Sequence, residues 1–111
     1  METIATLDQM FACYDTVVHV SGRMLDAARK DDWDAVIELQ KRYSALVDML
    51  RPVYGRFKLD ASQRLRLEDL TRRILADESQ VRERTVPRLA RLSALMASNQ
   101  QTLALRKAYG V

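Results

Sequence analysis

The apolar pattern over residues 4–28 leaves little choice of fold. Ile4, Leu7, Phe11, Tyr14, Val18, Ser21, Leu25 and Ala28 follow one another at alternating steps of 3 and 4. Side chains at that spacing share one face of an α-helix, whereas in a strand they would fall on both faces. Met10, Val17 and Met24 add a flanking column, each one heptad from the next. The stripe is therefore wider than a two-stranded coiled-coil seam and suits a helix inside a bundle. A first helix is expected over about residues 4–30.

The punctuation that follows is equally local. Arg29 and Lys30 suit a helix C-terminus, where the backbone dipole is negative. Asp31 or Asp32 then caps the next helix, with Asp34 in its first turn. So short a turn implies an antiparallel hairpin. Trp33, Val36, Gln40, Tyr43, Val47, Leu50 and Tyr54 form the seam of helix 2, and Leu39, Leu46 and Val53 form its second column. Pro52 lacks an N–H and ends or kinks that helix. Gly55 can take a left-handed conformation, and Gly55 to Leu59 reads as the longest connection.

Asp60 or Ser62 is placed to cap helix 3. Leu67, Leu70, Ile74, Glu78, Val81, Thr85, Leu89, Leu92 and Met96 recur at steps of 3 and 4, with a stutter near Glu78. The period continues on both sides of Pro87, which favours one long, kinked helix. Ser98 and Asn99 are expected to break it. A short fourth helix over 102–108, with Leu103 and Tyr109 facing a partner, would be marginal unless docked. The fold class is thus all-α, a small helical bundle in one domain over residues 1–111. It consists of an antiparallel helical hairpin, a long third helix and a short C-terminal fourth helix, with residues 98–111 as the detachable element.

Composition supports that class. The 111 residues hold only 3 Gly and 2 Pro, too few turn formers for a β-rich fold. A single cysteine, Cys13, excludes an internal disulfide and points to the cytoplasm. Neither a signal-peptide pattern nor a run of 18 apolar residues occurs, so no membrane insertion is expected.

Catalytic chemistry finds no footing. His19 is the lone histidine and lacks the companions a metal site needs. Cys13 has no base near it in sequence and reads as a structural thiol. The pairs Asp31/Asp32, Glu68/Asp69 and Asp77/Glu78 are adjacent on the chain. Neighbours on a helix diverge by about 100°, so they form no facing dyad. No phosphate-binding glycine loop is present. The reading is a non-enzyme without cofactor or metal.

Charge is unevenly spread. Residues 1–50 carry 5 Lys/Arg against 9 Asp/Glu, and residues 51–111 carry 13 against 6. An acidic helix pair beside a basic helix accounts for this, and so would an anionic partner. Arg84, Arg88 and Arg91 align, as do Arg66 and Arg73, but no recognition-helix pattern or aromatic stacking platform accompanies them. Direct nucleic-acid binding is the weaker reading. Surplus apolar surface remains: helix 3 is longer than its partners, and its half from Val81 to Met96 must find cover from the fourth helix, a partner protein or a homodimer.

The second half resembles the flagellar export chaperone FliT family. The resemblance rests on Leu75-Ala-Asp-Glu-Ser-Gln-Val81, on Arg88-Leu-Ala-Arg-Leu92 and on the run from Ser98 to Tyr109-Gly110. Asp32-Trp33-Asp34 at the start of helix 2 also looks like the family. The resemblance implies a hairpin, a long helix 3 and a mobile helix 4. It also implies a role: binding the C-terminal region of the filament-cap protein FliD, preventing its premature assembly, and contacting the export ATPase complex through FliI and FliJ. Binding of the master regulator FlhDC, and with it control of flagellar gene expression, is implied for some relatives. Trp33 matches a structural aromatic of the family. Glu78, Val81 and Arg82 match the middle of the partner-docking helix, and Tyr109 matches a tyrosine of a partner-contact surface. With Leu70, Ile74 and Leu89 of the same stripe, these are the expected partner-binding residues. Pro87, and a chain that ends at Val111 where relatives run longer, depart from the family pattern and set helix-4 regulation apart. The alternative is a structural, homo-oligomeric helical bundle or adaptor without an export client.

Overall fold

The computed structural model describes the backbone of residues 3–109 and the side chains of residues 3–90. Every regular element among them is helical: α1 (Leu7–Arg29), α2 (Trp33–Leu50), a single 3₁₀ turn (Arg51–Val53) and α3 (Ala61–Tyr109). The chain separates into two compact units, Met1–Val81 and Arg82–Val111.

Each helix of the first unit starts on a side-chain cap. Thr6 opens α1: its Oγ1 accepts the Gln9 N–H at 3.2 Å, and Gln9 Oε1 accepts the Thr6 N–H at 3.1 Å. This reciprocal pair satisfies donors that the first turn cannot. It also starts the helix later than the apolar seam suggests, although Ile4 ahead of it remains buried. At the other end, the Asp31 N–H reaches Ala28 O at 3.1 Å and the Asp32 N–H reaches Ala27 O at 2.9 Å. Asp31 sits at φ 57°, so this is a Schellman closure with Asp where glycine is usual. Asp32 is the residue that caps α2, accepting the Ala35 N–H at 3.3 Å.

Leaving α2, Pro52 sits inside the 3₁₀ turn and Gly55 takes the left-handed conformation expected of it, at φ 73°. Asp60, rather than Ser62, opens α3: Asp60 Oδ1 accepts the Gln63 N–H at 2.8 Å and Gln63 Oε1 accepts the Asp60 N–H at 3.0 Å.

α1 is the central helix of this unit. Eleven of its residues are buried, whereas α2 buries only Val36 and Leu50. The core has two parts. Near the hairpin turn, Met24, Leu25, Ala27, Ala28, Val36 and Val81 pack with half-buried Trp33 and Leu39. Toward the long connection, Phe11, Tyr14, Val17, Leu50, Leu70 and Ile74 pack with Phe57, Leu59 and Leu67. A fully buried apolar side chain contributes about 1.5–3 kcal/mol relative to exposure.

Polar contacts set the register of α3 on α1 and α2. Ser21, fully buried, lies with its hydroxyl 3.1 Å from Asp77 Oδ2 and 2.9 Å from Val18 O. Arg29 Nη2 donates to Gln80 Oε1 at 3.1 Å. The Tyr43 hydroxyl donates to Glu78 Oε2 at 3.2 Å, which accounts for a carboxylate on an otherwise apolar seam. Arg66 pairs with Asp15 at 3.1 Å and stacks 4.5 Å over the Phe11 ring.

In the second unit α3 continues as one helix past Pro87 to Tyr109. Among the described residues the backbone at Ser98–Asn99 lies within this helix, and the expected fourth helix is not distinguished from it. The Ala-, Leu- and Gln-rich sequence on either side favours helix more than Ser and Asn oppose it. Val86 and Leu89 are 56% and 53% exposed.

Candidate functional site

The second and third helices meet over α1 incompletely. α1 is covered where α3 contributes Leu70, Ile74 and Val81, but among the described residues α2 lacks a neighbour on one side, and its Tyr43, Leu46, Val47 and Met49 remain half-buried. Two apolar hollows result. One, of about 270 Å³, is walled by Val17, Tyr43, Val47 and Ile74, with Leu75 on its rim. The other, of about 260 Å³, is formed by Met10, Val53, Phe57, Leu59 and Leu67. They share Tyr14, Leu50 and Tyr54, so together they form one groove beside the end of α2 and the first half of α3.

The rim carries two exposed apolar side chains. Tyr54 is 77% exposed and Leu75 57%. Tyr54 was expected on the buried seam of helix 2. Helix 2 ends at Leu50, and the 3₁₀ turn swings Tyr54 out of that seam to the lip. Tyr14 lies beneath it. Burial first, and the neighbouring Tyr54 phenol second, raise the Tyr14 pKa above the ordinary phenol value. Tyr14 is therefore a neutral hydrogen-bonding group in an apolar floor.

The expected partner residues divide. Leu70, Ile74 and Val81 are buried within the protein's own core, at 6%, 7% and 7% exposure, so only the Ile74 flank borders the groove. Glu78 is held by Tyr43 beyond the groove's far end. Arg82 and Leu89 are exposed and belong to the second unit. The Tyr109 side chain lies outside the described residues. Sequence reasoning missed Tyr54, Leu75 and Arg51. Leu75 carried a signal, as a large apolar residue off the stripe of its helix, with nothing local to cover it.

Reactive chemistry is not concentrated here. Burial pushes the Cys13 thiol above its ordinary value, and its Sγ points at Leu46 O at 3.8 Å. His19 is exposed. Among the described residues no group of three or more His, Cys, Asp or Glu could hold a metal ion, and no helix is long and apolar enough to cross a membrane. A further hollow of about 560 Å³ between α1 and α2 is bordered by Thr3, Gln9, Thr16 and Arg42, a polar rim that suits an apolar partner less well.

Fold and groove together define a small helical protein that presents an apolar groove among its described residues. Comparison with known proteins makes this specific. The family model described as flagellar protein FliT matches residues 11–111, and the chain belongs to the FliT family. It is similar to the flagellar protein FliT of Photorhabdus laumondii subsp. laumondii, 22% identical over 101 residues that cover 91% of this chain and 81% of that protein. No solved structure gives a significant match.

Proposed function

We propose that this protein is a cytoplasmic export chaperone of the flagellum that receives the C-terminal region of the filament-cap protein FliD in the groove beside α2 and α3. The observation that carries the reading is a groove lined by Tyr14, Val17, Val47, Leu50 and Ile74 in a member of the FliT family. A surface of that composition cannot be satisfied by water and takes the apolar face of an amphipathic helix. Covering the client's apolar face keeps it from pairing with other copies before export. Delivery to the export ATPase complex through FliI and FliJ, and contact with FlhDC, belong to the same reading.

Calorimetric titration with the C-terminal segment of the filament-cap protein tests it, with a Leu75→Glu variant alongside. One-to-one binding to the parent protein, weakened at least tenfold by Leu75→Glu, is expected. Equal binding by both proteins would remove the groove from the reading. No binding by either would leave a helical scaffold without a client.

A further inference from the structure

The hollow of about 560 Å³ between α1 and α2 shares no lining residue with either part of the groove. Its apolar wall is Ile4, Cys13, Leu46 and Met49, the first two buried and the last two half-buried. Among the described residues that line it, Arg42 alone is charged. Arg42 is exposed, and among the described residues no ion pair or hydrogen bond engages its guanidinium. The acids around it are turned elsewhere: Glu38 pairs with Lys41 at 3.1 Å, Asp48 with Arg51 at 3.5 Å and Asp15 with Arg66 at 3.1 Å. Asp8 lies near the other end of the hollow. Cys13 Sγ on Leu46 O sets those two residues level, so Asp8 and Arg42 are roughly 13 Å apart along the antiparallel helices at 1.5 Å per residue. Hydrogen-bonding capacity on the rim is biased the same way. Gln9 Oε1 already accepts the Ala5 N–H at 2.7 Å and the Thr6 N–H at 3.1 Å, which leaves its amide NH2 to donate. The Thr16 hydroxyl gives its proton to Ala12 O at 2.9 Å. The unused donors of the lining are those of Arg42 and Gln9, and they call for an acceptor.

From these observations we infer that the hollow is a second docking surface, which takes a peptide segment of another protein bearing a carboxylate and an apolar side chain on the same side. The carboxylate pairs with Arg42, whose planar guanidinium matches it with two parallel N–H donors. The apolar side chain lies on Leu46 and Met49. The spacing suits this pair. Arg42 and Leu46 are one helical turn apart, about 6 Å along α2, and side chains i and i+2 of an extended peptide share a face at about 6.6 Å. A bare carboxylate would leave the apolar wall in water, and a purely apolar segment would leave the donors of Arg42 and Gln9 without acceptors. An exposed ion pair adds selectivity more than affinity, so the charge chooses the partner and the apolar wall holds it. The inference does not rest on the groove being the client site. Because the two surfaces share no lining residue, one partner can sit at each.

NMR titration of the isotope-labelled full-length protein with acetyl-Leu-Ala-Glu-amide tests it, beside acetyl-Leu-Ala-Gln-amide and sodium acetate. The Glu peptide is expected to shift the amides of Gln9, Cys13, Thr16 and Leu46 with a millimolar Kd, and to bind at least about threefold more tightly than the Gln peptide. Arg42→Gln should remove that preference. Ala12→Phe, which sets a large side chain into the hollow from an exposed position, should abolish binding of both peptides. Neither variant should change the titration with the filament-cap segment, so failure here leaves the proposed function standing. Equal binding of the two peptides, or a preference that persists in Arg42→Gln, overturns the inference. So does acetate that shifts the same amides to the same extent, because the hollow would then be an anion site rather than a peptide surface. Peptide binding that appears only in Glu2→Ala overturns it as well, by showing that the chain's own first residues fill the hollow. Shifts of these amides with protein concentration alone would assign the hollow to a second copy, and no shift by either peptide would end the docking surface outright.

Discussion

The two ends of the first unit use the same three helices to different effect. Near the hairpin turn the buried residues are mostly small or flexible: Ala27, Ala28, Val36, Val81 and Met24, with Leu25 beside them. Small side chains let the helices approach, and polar contacts such as Ser21 with Asp77 and Arg29 with Gln80 fix the register. Near the long connection the aromatics Phe11, Tyr14 and Phe57 are prominent. Among the described residues no fourth element fills the space beside them. The first end is therefore closed and the second open. Both ends contribute buried core around the central helix, while the proposed binding surface is the apolar area that the open end leaves uncovered.

Mutations can break this comparison. Met24, 1% exposed at the closed end, has no room to be replaced by water. Met24→Ala should cost about 3 kcal/mol by urea denaturation, from lost burial and the cavity left behind. A cost below about 1 kcal/mol would mean that this end is not tightly packed. At the open end, Tyr54→Ala removes a side chain already 77% exposed. Stability should change by less than about 0.5 kcal/mol, while client affinity falls severalfold in the calorimetric assay. A large loss of stability would show Tyr54 to be part of the core rather than a lip.

Smaller effects sharpen the same contrast. At Gly22 an added Cβ would meet Asp77 Oδ2 at 3.9 Å, an ordinary contact. Gly22→Ala should therefore stabilise the protein by about 0.5–1 kcal/mol, the helix-propensity gain. Destabilisation would show that α1 and α3 approach more closely than this. Asp31→Gly relieves a left-handed residue at φ 57° and should raise stability by a similar or smaller amount, about 0.5 kcal/mol.

The smallest effect is in pH. Burial raises the Cys13 thiol above its ordinary 9.0, and Tyr14 is raised above 10.0 for the same first reason. The unfolded state therefore loses these protons first on alkalinisation. The stability linked to these groups is fully present below about pH 9.0 and is lost as pH rises through the raised folded values. A melting temperature that falls above that pH, and falls less in Cys13→Ala, is expected. No difference between the two proteins would mean that Cys13 is solvated.

The helices, the turn between the first two and the caps that start them were all determined by local sequence. Periodicity places apolar groups on one face, and Asp32, Asp60 and Gly55 act on groups within a few residues of themselves. Two local judgements gave way. Tyr54 continued an apolar period that the proline-containing turn had already ended, and Ser98–Asn99 lacked the strength to stop α3. Only the tertiary structure decided which apolar residues would be used up inside. Leu70, Ile74 and Leu89 look alike to a pattern of 3 and 4, yet the first two are buried and the third is exposed. A residue's period says which way it faces along its own helix, whereas its burial depends on how many other helices arrive there. Around α1 that number falls short on one side toward the long connection, and the groove is the consequence.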